Sequence, residues 1–460
     1  MSDLFTLLNR SVRALDAQRF GLDATGENIA NVNTPGYTRR SVLFAEVAPP
    51  DPYSAGGGVD VVAVTAARAP LVDARLRYEQ PTAAREGAVA DQLAIVEAGL
   101  GDPGASLDAA LARFYNTYAA LSQSPTSNTA RQQVIVEGQT LSHAFNDMST
   151  RFDTARQNAN NEIRATVTQV NALATQLADI NKQVRSIDPS NAQNLLDQQS
   201  VVIDAIGQLV DIHVINHEDG TADVSIGNGR ALTIGDKAYA LSTSASSTGM
   251  VSILTSGAAV TTDVTNELTG GRLAGLVKVR DTLIPNYQTQ LDQLAYSVST
   301  DVNNVVTTGY DLNGAAGVNF FVQPSVVAGA ARAMDVNATV AADGRLVVAA
   351  ATTAPGNNAI AQAVANLQDT AMTGTTARPV DGWGNLVYSV ATDSAAAQQS
   401  QKAHEQVADQ LTNLREQISG VSIDEEAAMM MRFQRAYEAN ARFFRAVDDT
   451  LDQLLNLVRF

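Results

Sequence analysis

The sequence predicts an α+β fold, mainly α: an elongated multidomain chain with paired terminal coiled-coil helices, a long helical bundle domain and inserted β-rich outer domains. Three observations predict it. Apolar residues recur every seven positions at both ends, as Met1, Leu8, Leu15, Leu22 and Ile29 and again as Met430, Tyr437, Phe444, Leu451 and Val458. Two amphipathic helices with matching seams pair as a coiled coil. From Ala130 to Ser186 there is no proline and Gly138 is the lone glycine, while Ile163, Val170, Leu177 and Val184 repeat at seven. A helix of that length implies a rod-like bundle. After Val210 the pattern switches to short β-branched runs between turns, the signature of strands and hairpins.

Taken in order, the first helix runs into Asn28-Ile29-Ala30-Asn31-Val32-Asn33-Thr34-Pro35-Gly36-Tyr37, where three asparagines and a Pro-Gly pair end it and turn the chain. Ala48 to Gly58 reads as a linker or short hairpin region. Helical patterns then dominate from about Ala83 to Leu209, with Leu107, Leu111, Phe114, Tyr115 and Tyr118 on one face and a stop at Ser124-Pro125. Ile212–Ile215, Ala222–Ile226 and Ala231–Ile234 read as strands, followed by a polar loop from Ser242 to Thr248. Ile284, Tyr287, Leu291, Leu294, Val298, Val302 and Val305 restore helical spacing until Thr307. The next 80 or so residues, rich in Gly, Ala, Thr and Val, read as irregular or β structure closed by Asp381-Gly382-Trp383-Gly384-Asn385, and helix returns from Ala395. The expected organisation nests these elements: a terminal polymerisation domain from 1–50 with 415–460, a helical bundle from 51–210 with 265–310 and 386–414, an inserted β domain at 211–264 and a second β or irregular insertion at 311–385.

Composition excludes several classes. The chain has 460 residues and no cysteine, hence no disulfide framework, thiol nucleophile or thiolate metal site. Of the net charge of −17, residues 1–50 carry 0 and 421–460 carry −2, leaving −15 for the middle. That balance repels nucleic acid and anionic membranes, and lets near-neutral ends stack while an acidic middle stays apart. Arg10, Arg13, Asp16 and Arg19 interrupt the first apolar positions, so no cleaved signal is expected. No apolar run approaches the roughly 20 residues that span a bilayer, so no membrane insertion is expected.

No chemistry-bearing motif stands out. His213 and His217 share helical metal-ligand spacing, but they fall on a strand and turn, where the rings lie about 13 Å apart. Neither a Gly-x-Ser-x-Gly elbow nor a phosphate-binding Gly-x-x-x-x-Gly-Lys loop occurs. Asp424-Glu425-Glu426 reads as the acidic first turn of a helix capped by Ser422. Phe433, Tyr437 and Phe444, flanked by Arg432, Arg435, Arg442 and Arg445, have the spacing of core rather than of a nucleic-acid platform. Met429-Met430-Met431 is adaptable thioether surface, suited to a seam that meets unlike subunits or to ordinary core. No catalytic, cofactor or metal site is expected, and the chain reads as a non-enzyme.

The Asn28–Tyr37 string resembles the N-terminal signature of the flagellar axial proteins, the rod, hook and hook-associated family. Pro35-Gly36-Tyr37-Thr38-Arg39-Arg40, and at the other end Gly420–Glu426 followed by Phe433-Gln434-Arg435-Ala436-Tyr437, resemble its junction-forming, hook-associated branch. So do Asn194-Leu195-Leu196-Asp197 through Leu209-Val210, Ile226–Gly229, Gly270-Gly271-Arg272-Leu273 and Gly309–Gly314. The resemblance implies a structural part of the bacterial flagellum between hook and filament. Such a part would be extracellular, exported unfolded through the flagellar type III system, and assembled by axial stacking of its terminal helices. Implied partners are copies of itself, hook protein, a second hook-associated junction protein and an export chaperone holding the C-terminal helix. The assembly interface would comprise Leu8, Leu15, Leu22, Ile29, Asn31, Pro35, Gly36 and Tyr37 with Met430, Phe433, Tyr437, Phe444, Val447, Leu451, Leu454 and Val458. Alternatives are another axial protein of hook or rod, an extracellular adhesin-like binding module, or a wall hydrolase carried on an axial scaffold.

Overall fold

The computed structural model describes residues 2–48, 56–101, 106–187, 192–246, 249–256, 261–354 and 356–458. Helix α1 (Ser2–Ala30) leads into an antiparallel hairpin of β1 (Arg40–Glu46) and β2 (Val59–Ala66), with an irregularity between Leu43 and Phe44. The Ala48–Gly58 stretch therefore joins two strands, and its residues 49–55 lie outside the described residues.

Four helices follow: α2 (Pro70–Gly99), α3 (Leu107–Gln123), α4 (Asn128–Arg185) and α5 (Gln193–Leu209). Helix α2 begins 13 residues before the expected Ala83, because Pro81 lies inside it rather than ending it. The Pro81 ring is buried beside Gly207 and Gly270, packing that offsets part of the lost intrahelical hydrogen bond. Helix α4 is capped by Ser127, whose Oγ accepts from Ala130 N at 3.2 Å. Its 58 residues extend about 87 Å at 1.5 Å per residue.

Seven strands come next. β3 (Ile212–Asn216), β4 (Ala222–Ile226), β5 (Arg230–Ile234) and β6 (Lys237–Ala238) form a four-stranded antiparallel meander, and β7 (Leu241–Ala245), β8 (Val251–Ser256) and β9 (Thr261–Asp263) form a three-stranded one. Then come α6 (Gly271–Lys278), a π-helical turn at Val279–Leu283, α7 (Ile284–Val306), the short α8 (Ala330–Ala333) and α9 (Ala338–Ala342), α10 (Ala359–Asn366), α11 (Pro379–Ser419) and α12 (Ile423–Val458).

Two apolar cores line up along α4. Its first half, from Val134 to Ala155, shares one core with α3, α7 and the start of α11. Its second half, from Ile163 to Val184, shares the other with α5, α6 and both sheets. The 211–264 segment, contiguous in sequence, thus buries Val224, Ile226, Leu232 and Ile253 against a helix of the bundle. Between the cores, Arg280 is buried and its Nη1 donates to Val251 O (2.7 Å) and Asn160 Oδ1 (3.0 Å), tying the π turn to α4 and β8.

The 311–385 segment is largely irregular up to Pro379, with short helices in place of strands. It contains α8, α9 and α10, and its described residues pair only through the isolated bridges Tyr310–Ala316, Tyr310–Ala350 and Phe321–Val336. Phe320 and Phe321, with ring centroids 4.8 Å apart, pack on Phe114 of the first core. Side chains of α7 replace the missing sheet partners: Asn303 exchanges two 3.0 Å hydrogen bonds with the Phe321 backbone, and Asp292 accepts from Gly329 N and Ala331 N. Asp381-Gly382-Trp383-Gly384-Asn385, expected to close this insertion, lies inside α11, which starts at Pro379 and buries Trp383. Two glycines imitate a turn in the sequence, but proline at the first helical position and a buried indole favour the helix.

Gly270-Gly271-Arg272-Leu273 and Leu209-Val210 meet in space. Gly271 has φ +74°, and a Cβ there would stand 2.3 Å from Val210 N, so both conformation and space demand glycine.

Candidate assembly surface

The turn after α1 is built by its own asparagines. Asn31 Nδ2 donates back to Glu27 O (3.0 Å), and Thr34 Oγ1 donates to Asn31 Oδ1 (3.2 Å). Asn28 does more. Its Nδ2 donates to Arg40 O (2.9 Å), while its Oδ1 accepts from Arg40 N (2.8 Å) and from the Tyr37 hydroxyl (2.8 Å). One buried amide thus imitates a β-bridge and fixes where β1 begins. Burial first, then the charge of Glu27, pushes the Tyr37 hydroxyl up to about 12, against the opposing pull of Arg40. Tyr37 therefore stays a donor to Asn28 throughout the physiological range. Gly36 has φ +78°, and a Cβ there would lie 2.3 Å from Val201 Cγ2 on α5.

The same turn is clamped to the helical body by Asp197 of α5. Thr38 Oγ1 (2.7 Å) and Arg68 Nη2 (2.8 Å) donate to Asp197 Oδ1, and Arg40 Nη2 (2.8 Å) donates to Oδ2. Arg40 Nη2 also reaches Asn194 Oδ1 at 2.6 Å. The Arg40 and Asp197 side chains are 5% and 9% exposed, so this pair is desolvated and each charge depends on the other. A third segment crosses here, the α11–α12 junction: Arg39 N donates to Ser419 O (2.8 Å) and Arg39 Nη1 to Glu425 (3.1 Å). The Arg39–Glu425 pair is largely in water and contributes little. Ser422 Oγ lies 3.5 Å from Glu425 N, the long limit of a cap.

Helices α1 and α12 pack antiparallel, since Gly21 faces Phe433 while Arg39, beyond the end of α1, meets Glu425 at the start of α12. A Cβ on Gly21 would fall 2.7 Å from the Phe433 ring, and Phe44 of β1 lies 6.2 Å from that ring. The face of α1 buried most deeply is made of small residues, Ala17, Gly21, Ala24 and Asn28, with Ser11 buried on the leucine side. The heptad leucines Leu8, Leu15, Leu22 and Ile29 are half-buried, as are Asn31, Tyr37, Met430, Phe433, Phe444 and Leu451. This corrects the expected knobs of the pair: close approach to α12 selects small side chains, and the leucines lie round the helix from them. Of the remaining expected interface residues, Val447 is buried, whereas Pro35, Gly36, Tyr437 and Leu454 are exposed. Met1 and the side chain of Val458 lie outside the described residues. A groove of about 770 Å³ stays open between α1, β1 and α12, lined by Phe44, Met429 and Phe433 among others.

The residues that hold this joint and were missed as sites are Asn28, Arg40, Arg68 and Asp197. Asn28, Arg40 and Asp197 all sit in recognised motifs, but nothing local announces a pairing across 157 positions. His217, the second histidine of the 213/217 pair, bonds Asp223 Oδ2 at 2.9 Å, and among the described residues no group of three or more His, Cys, Asp or Glu is placed to hold a metal. No described helix is long and apolar enough to cross a membrane.

Known proteins match this chain at both levels. A protein-family model for the flagellar hook-associated protein FlgK helical domain matches residues 93–321, one for flagella basal body rod proteins matches 8–38, and one for the flagellar basal body rod FlgEFG C-terminal region matches 416–457. Flagellar hook-associated protein 1 of Bacillus subtilis strain 168 is 28% identical, with 99% of each chain aligned. The chain belongs to the flagellar hook-associated protein 1 (FlgK) family. The Escherichia coli K12 member is 24% identical over 98% of this chain and all of its own. The solved flagellar hook junction protein FlgK from Burkholderia pseudomallei has a TM-score of 0.67 at 16% identity, covering 74% of this chain and 99% of that one, a likeness of fold. As a FlgK-family chain it is a structural flagellar protein and not an enzyme. The two rod-type matches fall on α1 with its turn and on α12, the segments that converge on Arg39 and Asp197.

Proposed function

We propose that this chain is the first hook-associated layer of the bacterial flagellum, an extracellular structural joint between hook and filament that assembles through α1 and α12. The observation that carries this is how little the terminal pair buries. Neither core includes a residue of α1 or α12, Val447 is the one described apolar side chain of α12 that is buried, and Phe5, Phe20, Met431, Phe443 and Leu454 are between 43% and 55% exposed. Apolar side chains left open along two long helices mark a face that neighbours cover. Leu8, Leu15, Leu22, Ile29, Met430, Tyr437, Phe444 and Leu451 supply further surface to copies of the chain, to hook protein on one side and to a second hook-associated protein on the other. Export through the flagellar type III channel in an unfolded state suits a chain with no cysteine and so no cross-link to undo, and an export chaperone would shield the apolar face of α12 beforehand.

A clean gene deletion tests this reading. Cells lacking the protein are expected to build complete hooks, carry no filaments and release flagellin into the medium, seen by electron microscopy and a blot of the culture fluid. Filaments of normal length would overturn it, and missing hooks would move the protein to the rod or hook. A motile strain defective only in attachment would favour an adhesin instead.

Assembly by the terminal pair also sets an expected exchange pattern. In the purified chain, amides of α1 and α12 exchange much faster than those of α4, because each terminal helix is covered by one helix and a hairpin, and isolated helices are marginal in water. Equal protection across α1, α4 and α12 in the monomer would contradict this.

A further inference from the structure

Two stripes on the terminal helices are left unused by the intrachain pair, and their charges are complementary. On α1, Asp16, Phe20, Asp23 and Glu27 follow one another at helical spacing, one residue and so about 100° round from the buried Ala17, Gly21, Ala24 and Asn28. All four are exposed, and Phe5 (55%) and Val12 (42%) continue the row. On α12, Arg435, Arg442 and Arg445 are exposed on the side away from Phe433 and Val447, with Met431 among them and Phe443 at their flank, whereas Arg432 lines the groove beside Phe433. None of these acids or arginines forms an ion pair with a described residue of its own chain. We propose that the acidic and aromatic stripe of α1 docks on the arginine stripe of α12 in a second copy of this chain.

The geometry forbids the two stripes from meeting within one molecule, because the contact of Gly21 with Phe433 turns both away from the shared seam. Like stripes also repel: α1 on α1 would set Asp16, Asp23 and Glu27 against one another. The favoured contact is therefore heterologous, and a heterologous contact propagates as a ring or helical array rather than closing a pair. Burial of Phe20 and Phe443 supplies affinity. The charges, with Arg13 and Arg19 bordering one row and Glu438 interrupting the other, set register.

The inference rests on the assembly reading above, and charge exchange separates the two. Four full-length forms are expressed in the deletion strain: the parent, Asp16→Arg/Asp23→Arg/Glu27→Arg, Arg435→Glu/Arg442→Glu/Arg445→Glu, and the chain carrying both sets. Each single set is expected to lower incorporation into purified flagella at least ten-fold, while the doubly reversed chain recovers to within about three-fold of the parent. Co-expressing the two single sets should restore incorporation of both, which only contact between copies can do. Parental levels from either single set would overturn the inference. So would failure of both the doubly reversed chain and the co-expressed pair to recover, because those charges would then face a different protein. Absence of the parent itself from flagella would instead sink the assembly reading.

Discussion

Replacing Asp197 with alanine is expected to release the terminal module from the helical body while both cores stay folded. Arg40 is nearly inaccessible and donates to Asp197 and Asn194, so removing the carboxylate leaves a buried guanidinium without its counter-charge. Breaking a pair of that kind costs about 3–5 kcal/mol. Arg68, a third exposed, regains water and adds little. The loss is local, because neither core includes these residues. Amides of 37–44 are expected to exchange about a hundred-fold faster at a local cost near 3 kcal/mol, with α4 unchanged. Asp197→Asn keeps an acceptor for Thr38 and should show a smaller effect. Unchanged exchange at 37–44 in Asp197→Ala would show that the Asn28 bridge alone holds the turn.

Phe433→Asp is expected to abolish incorporation into the flagellum without unfolding the rest of the chain. The Phe433 ring fills the space that Gly21 leaves on α1 and touches Phe44 of the hairpin. A carboxylate in that position leaves the gap against Gly21 and Phe44 unfilled and places a charge in a half-buried seam, at a cost of about 2 kcal/mol or more. The pair of α1 and α12 then opens, and with it the surface that neighbours read. Phe433→Leu keeps an apolar filling and should incorporate. Flagella containing normal amounts of the Asp variant would show that assembly does not depend on the seam. A changed thermal transition of the two cores would show instead that the substitution acts by unfolding.

The legibility of this chain varies with how local the deciding interaction is. Helix α4 was readable to within two residues at its start, because its seven-residue repeat and the absence of proline lie within it. Strands β3, β4 and β5 were readable for the same reason, each being set by β-branched runs and the glycine turns between them. Helices α2 and α11 were begun late, at about Ala83 instead of Pro70 and at Ala395 instead of Pro379, since a proline or glycine breaks a helix unless packing elsewhere outweighs it. The short helices of the 311–385 segment were not legible, because the backbone around them is satisfied by Asn303, Asp292 and Asp301 of α7, partners a window of sequence does not contain.

The candidate site divides in the same way. Sequence by itself determined that two amphipathic helices stand at the ends and that Asn28 to Arg40 turns the chain. These follow from periodicity and turn residues. Tertiary structure decided which face of α1 is buried, and it chose Gly21 and Ala24 over the heptad leucines because the distance to α12 is set by the Phe433 ring. It also decided that Thr38 and Arg40 meet Asp197, a desolvated charge pair whose strength depends on low exposure at both ends. Burial is a property of the whole fold, so the residues that hold the joint became visible only when segments far apart in the chain were brought within hydrogen-bonding distance.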